Sequence, residues 1–523
     1  MRQDRPKRLE RAVAGPPRKS SRRNALVPVI AIFAVYAALL LCARARVPPG
    51  LNNDVAEEAL RGIYLVRGHH FEVLTFSVGF SAETLYLYLV GGMIRLFGPT
   101  ILSIQLVSWI SALACIWLLW KLVQRVTDTV PAWVPVLAGA TSIWLFHYAM
   151  NGLRAIAVPV FLGVFALLLD RVESGAGRKI ALSSGAVLGL SVYAYTSARV
   201  LPIAFVLYAA FRLARNWREK AILLRRYGAI LAGAFVVSIP NLVFFVQRPK
   251  DFLTRGDYVA RGAASSLANL ATNTMWSILF PFYYPDSYRH TLTSSFSFDG
   301  VCSGFTLTGA NPIHWIVAAA MLIGLWQVKR FIGRPVMAFL LAAWVAAMLG
   351  LGWTGPSLTR LLMVWPVYLL LAALGFGFVI TRVRLLEAPL IFLILFVGFT
   401  DGYKYMSRVG QSSEEYSYSF YPPVTAIGER ARNLEAQGQR VLCVVSRDSS
   451  VVKYFTSGDS AHVAISEFYR RRFVPAQLPL ATFHPTLLLI ENHPVFQTFT
   501  SRLRPQLLVA QNDNFYEVRV PPR

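Results

Sequence analysis

The feature that most limits this chain is a series of long apolar runs, with short basic connectors between some of them. The runs fall at 25–43, 100–120, 131–149, 153–170, 180–198, 200–213, 226–246, 313–328, 336–353, 360–380 and 386–400. Most are long enough to cross about 30 Å of hydrocarbon, where every backbone N–H and C=O must be satisfied within the segment. The expected fold is therefore a polytopic α-helical membrane protein of about eleven transmembrane helices.

The net charge of +25 would suit a nucleic-acid partner if it formed a patch. Its distribution argues against nucleic acid. The basic residues lie at Lys121/Arg125, Arg171/Arg178/Lys179, Arg212 to Arg226, Lys329/Arg330/Arg334 and Arg382/Arg384, between apolar runs. With the N-terminus inside, all of these connectors fall on the cytoplasmic side, as the positive-inside rule requires, with attraction to anionic membrane lipids. The expected location is the cytoplasmic (inner) membrane. Residues 1–24 carry nine Lys/Arg against two acids and read as a disordered basic cytoplasmic tail. Ala43-Arg44-Ala45 resembles a signal-peptidase site, but the basic region and apolar run are long for a signal peptide, so 25–43 reads as an uncleaved span.

This topology places several segments outside: 44–99, Asn151–Arg154, Thr196–Arg199, a long loop over 247–312, Thr354–Arg360, and everything after about 401. Glu83 to Phe97 is read as an amphipathic helix at the outer interface, where Tyr86, Tyr88 and Arg95 suit headgroups; counting it as a span would invert every later connector. In 401–523 the pattern changes. The stretches 441–446, 462–466, 486–491, 506–511 and 515–520 read as strands, with helices near 424–437 and 449–456, giving a small soluble α/β domain outside the membrane. Four cysteines show no metal-binding spacing; Cys302 and Cys443, both placed outside by this topology, are the pair open to a disulfide.

Acids are scarce, yet Asp54, Glu57, Glu58, Glu72 and Glu83 gather in the first outer loop with His69 and His70. Asp54 fits either a general base or, with Asn53, a helix N-cap. Glu57 and Glu58 are first-turn acids that suit the helix dipole, or a second acid of a site. Glu83 fits the start of the interfacial helix, a capping partner of Ser81, or a metal ligand with a histidine such as His290. Outside arginines run against the positive-inside trend, so Arg154, Arg199 and Arg360 are candidates to fork onto phosphate oxygens; snorkelling to headgroups is the other reading.

Four segments, NNDVAEEA, SAETLYLYLVGGMIRLFG, YAYTSARVLP and TRLLMVWPVYLL, in this order and on one side, resemble the GT-C membrane glycosyltransferases that use polyprenyl-phosphate sugars. The nearest group is the protein O-mannosyltransferase and lipid A aminoarabinose transferase family, over roughly 25–400. The resemblance implies a GT-C fold, a polyprenyl-phosphate sugar as donor, and a protein, glycolipid or polysaccharide acceptor. It implies Asp54 as catalytic base. In relatives an acid pair is common here, but Val55 follows Asp54. Glu83 falls in a Glu-Lys-Pro position whose Glu holds a divalent metal in some relatives, with His290 as the only later-loop candidate; no other cofactor is expected. Thr84 replaces the Lys, so the expected donor-phosphate contacts are Arg199, Arg360, Arg154 and Arg61. One essential carboxylate opposite a cationic phosphate site gives single displacement with inversion. The competing class is a transporter or flippase of a lipid-linked or anionic solute, which would call for mid-membrane charges or inverted repeats that the sequence lacks. A membrane scaffold presenting the C-terminal domain is a third reading.

Overall fold

The structure is a computed structural model. It describes residues 20–48, 50–68, 72–77, 80–250, 266–282, 311–410, 422–446, 449–458, 460–468, 478–479, 483, 485–501 and 507–520. His69, His70, His290 and Cys302 lie outside these residues.

Among the described residues, eight helices are long and apolar enough to cross a membrane: Leu26–Ala43, Ile101–Val126, Arg154–Glu173, Thr196–Arg215, Trp217–Gln247, Pro335–Thr354, Leu358–Arg382 and Arg384–Ser407. The chain is thus a multi-pass membrane protein. The other three expected spans are helical but shorter. Arg178–Ser191 and Trp315–Phe331 are single helices. The run 131–149 is not one span but two helices, Trp133–Ala140 and Ile143–Asn151. The break has a local cause. Ser142 is extended and its hydroxyl caps the second helix by accepting from the Leu145 amide.

One span carries polar networks at both ends. Arg154–Glu173 starts beside Glu83 and ends at Glu173, about 28 Å away at 1.5 Å per residue. At the Glu173 end, the carboxylate accepts from Tyr208 at 2.8 Å and from Tyr227, and pairs with Arg212 at 3.1 Å. Arg226 donates to the Glu173 carbonyl at 3.0 Å, and Arg125 lies 3.5 Å from Asp170. Basic connectors from separate parts of the sequence therefore meet at one end of the bundle.

At the other end, helix α1 spans Ser20–Ala43 and α2 spans Asn53–Arg67. A hairpin of β1 (Leu74–Ser77) and β2 (Phe80–Glu83) leads into α3 (Leu85–Phe97). Helices α2 and α3 touch backbone to backbone. A Cβ on Gly91 would lie 2.1 Å from the Gly62 carbonyl oxygen, so only glycine permits this approach. Tyr86 points into the protein rather than to headgroups: its hydroxyl lies 2.6 Å from Ser108 Oγ and donates to the Gly152 carbonyl at 3.1 Å.

The C-terminal region forms a five-stranded sheet. With β3 Val441–Val445, β4 Val463–Glu467, β5 Leu487–Glu491, β6 Leu508–Gln511 and β7 Phe515–Arg519, the order is β4-β3-β5-β7-β6. The first three strands are parallel and the last two pair antiparallel. Along β3, Val441, Cys443 and Val445 join the main core, while Leu442 and Val444 face a second cluster with Leu488, Ile490 and Phe496. The sheet region is seated on the segment that follows α1, through contacts to residues 51–100. Tyr454 donates to the Thr100 carbonyl at 2.7 Å, Arg432 to Pro99 at 2.8 Å and Arg67 to Ser457 at 3.1 Å. The Leu51 amide donates to Thr425 Oγ1 at 2.8 Å.

Candidate active site

Asn52 caps α2. It is extended, and its side chain accepts from the Asp54 amide at 2.9 Å. The N-cap is therefore neither Asn53 nor Asp54, and Asp54 stands in the first turn with an exposed side chain. The spacing Asp54, Glu58, Arg61 is i, i+4, i+7, which puts these side chains on one helical face.

Glu83 ends β2 and does not begin a helix; α3 starts at Leu85 after Thr84. Its side chain is 1% exposed. Oε2 accepts from Arg154 Nη1 at 3.1 Å. Oε1 accepts from Thr196 Oγ1 at 2.8 Å and Arg199 Nη2 at 3.2 Å. The turns that carry Arg154 and Thr196–Arg199 thus converge on one carboxylate. The left-handed Gly152 (φ 76°) ends the helix Ile143–Asn151 and turns the chain so that Arg154 enters this corner.

Arg154 is also buried, at 2% exposure. Its Nε lies 2.8 Å from Glu58 Oε1, and its guanidinium carbon lies 5.1 Å from the Tyr195 ring centroid. Glu58 is therefore an ion-pair partner rather than only a helix-dipole acid. Glu57 differs: its contact is Arg61, at 3.5 Å on the same helix. Pairs of that i, i+4 kind contribute about 0.3–0.5 kcal/mol on a helix surface, whereas breaking a buried pair costs about 3–5 kcal/mol. The Glu58–Arg154–Glu83–Arg199 chain dominates the local energetics.

Arg360 is held elsewhere, donating to the Thr354 carbonyl at 3.5 Å, while neighbouring Thr359 meets the Tyr148 hydroxyl at 2.9 Å. The structure brings Glu58, Glu83, Arg154 and Arg199 together, with Asp54 and Arg61 on the adjoining helix face. It adds Thr196 and Tyr195, which sequence reasoning passed over although both lie in YAYTSARVLP.

A divalent cation does not fit at Glu83 as its neighbours stand. Both carboxylate oxygens already face guanidinium groups, and no group of three His, Cys, Asp or Glu side chains with metal-binding geometry exists among the described residues. His290, the expected partner ligand, lies outside them.

The family model for dolichyl-phosphate-mannose-protein mannosyltransferases matches residues 84–244. Two solved structures cover the chain almost from end to end. The crystal structure of ArnT from Cupriavidus metallidurans in the apo state superposes with a TM-score of 0.57 at 11% identity, covering 93% of this chain and 97% of that one. The chain therefore has a GT-C-like fold. The same ArnT bound to undecaprenyl phosphate gives 0.52 at 12% identity, with 93% and 97% coverage. No protein of curated function matches the sequence. In this chain the converging turns lie at one end of the spans, with the acid-bearing α2 beside them.

Proposed function

We propose that the chain is an inverting glycosyltransferase that moves a sugar from a polyprenyl-phosphate donor to an acceptor hydroxyl at the outer face of the cytoplasmic membrane. The observation that carries this reading is the pairing of an exposed Asp54 with a buried arginine-carboxylate corner one helical turn away. Support comes from ArnT, which shares the fold and binds undecaprenyl phosphate.

The chemistry follows from charge. The leaving group is a lipid phosphate, already stable as an anion, so it needs nearby cations more than a strong general acid. Arg199, 27% exposed and reaching from the corner, is the first cation for that phosphate, with Arg61 on the adjoining helix face. Asp54 takes the proton of the acceptor hydroxyl as the oxygen attacks the anomeric carbon from the face opposite the phosphate. The carbon–oxygen bond to the phosphate breaks, and the anomeric configuration inverts. Glu58, paired with Arg154, orders the site rather than acting as a second acid. The divalent metal implied by the family resemblance has no role in this scheme, because Glu83 serves the arginines.

In the membrane, residues 1–24 form the cytoplasmic tail, 25–400 the transmembrane domain and 401–523 an extracytoplasmic domain. The last sits over Asn52–Arg67, where an acceptor protein, glycolipid or polysaccharide would approach Asp54. The test is Asp54→Asn, assayed for transfer from a polyprenyl-phosphate sugar: folding is retained and transfer is lost. Retained transfer removes Asp54 as the base.

A further inference from the structure

We propose that Arg154 is a positioning residue that clamps the Asp54-bearing helix to the Glu83 corner, not a ligand of the donor phosphate. This deepens the reading of the site just given and rests on it only for the identity of Asp54 as the base.

The geometry separates Arg154 from the other arginines. Its Nε faces Glu58 at 2.8 Å and its Nη1 faces Glu83 at 3.1 Å. Nη1 also approaches the Glu83 main-chain oxygen at 3.4 Å, and the Tyr195 ring covers the guanidinium face. Two carboxylates and an aromatic ring fill its surroundings at 2% exposure. A phosphate could reach it only by displacing one of those carboxylates, and both would then be left buried beside a second anion. Arg199 shares Glu83 yet is 27% exposed, so it has room for an anion that Arg154 lacks.

Arg154 joins three separate parts of the chain. Glu58 is one turn from Asp54 on α2, Glu83 ends β2, and Arg154 itself opens a membrane span. A planar guanidinium can join two carboxylates in one fixed arrangement; an ammonium cannot hold both with the same geometry. Arg154 also lies within electrostatic reach of Asp54. On the helix itself Asp54 is faced by Glu57, Glu58 and Arg61. Across the corner stand Arg154, Glu83 and Arg199, with Tyr86 below; Lys453 and Tyr454 come from the C-terminal domain element packed on α2.

The test reads position without relying on sugar transfer. Asp54→Cys is introduced after Cys42 and Cys302 are replaced by alanine, and the pH midpoint of its alkylation by iodoacetamide is measured on the full-length protein in detergent. Adding Arg154→Met moves the midpoint up by about one unit. Arg154→Lys, which keeps the charge but not the fork, leaves the midpoint within about half that shift while lowering the alkylation-independent melting temperature. An unchanged midpoint in Arg154→Met overturns the proposal. If that variant does not fold, Arg154→Gln with Glu83→Gln removes both buried charges together. Undecaprenyl phosphate binding to this double variant, measured by native mass spectrometry, stays within about threefold of wild type if neither side chain touches phosphate. Loss of binding in the double variant makes Arg154 a phosphate ligand and overturns the proposal. Failure of the wild-type protein to bind undecaprenyl phosphate instead counts against the donor reading and leaves the alkylation result standing.

Discussion

Glu83 and Arg154 form an ion pair of 3.1 Å in which neither side chain is more than 2% exposed. Such a pair stabilises little relative to an apolar replacement of both partners, but removing one partner strands the other. Glu83→Ala leaves the buried Arg154 to Glu58 alone of the two carboxylates it pairs with, and takes the buried carboxylate from Arg199. It is expected to cost about 3–5 kcal/mol, read as a lower denaturation midpoint of the purified protein. Glu57→Ala, which removes the i, i+4 contact to Arg61 on the same helix, is expected to cost far less, about 0.5 kcal/mol. Equal effects of the two substitutions would contradict the buried network.

The approach of α2 to α3 gives a sharper structural test. Gly91→Ala places a methyl group 2.1 Å from the Gly62 carbonyl, and that backbone cannot yield without moving the Asp54 helix. Its neighbour Gly92 meets nothing within 4 Å, so Gly92→Ala is expected to be neutral or to gain up to about 1 kcal/mol from helix propensity. The comparison is made by yield and melting temperature in detergent. A stable, fully active Gly91→Ala protein would show that the two helices are not packed this closely.

The seat of the C-terminal domain has a pH signature. Tyr454 is buried and donates to the Thr100 carbonyl, and burial raises its phenol above the usual range, with nearby Arg432 opposing weakly. The folded chain therefore holds that proton more tightly than the unfolded chain does. The stabilisation is complete below about pH 10, where the unfolded phenol titrates, and is lost as pH rises beyond it. Tyr454→Phe is expected to cost about 1 kcal/mol near neutral pH and to flatten the alkaline fall in stability. Melting curves of both proteins between pH 7 and 11 check this; identical alkaline slopes would remove Tyr454 from the effect.

Much of this architecture is legible in the sequence because it follows from one-dimensional signals. Apolar length marked the spans, and short apolar runs bounded by polar and turn residues marked the strands, from Val441–Val445 to Phe515–Arg519. The break inside 131–149 was missed because Thr141 and Ser142 are individually tolerable in a membrane helix; only Ser142's capping bond to Leu145 ends the first piece. The hairpin before Glu83 was missed because its two strands are four residues each, too short for a period to emerge. Asp54, Glu83, Arg154 and Arg199 were each legible as unusual charges on one side. Their partners were not. Glu58 meets Arg154 across nearly a hundred residues, and nothing local distinguishes it from Glu57, which faces its own helix. Arg154 was for that reason grouped with phosphate-binding arginines, where its burial now sets it apart.

Asp54 carries the chemical claim, and its substitution by asparagine keeps the size and the Asn52 cap while removing the base. Loss of a general base lowers turnover by about 10²–10⁴-fold, and binding of the donor should survive. The most direct measurement is mass spectrometry of the lipids that copurify with Asp54→Asn protein expressed in its native membrane. The account predicts a polyprenyl-phosphate sugar, retained because it binds but is not consumed. Phospholipids alone, with no prenyl-phosphate species in either the variant or the wild-type protein, would contradict it.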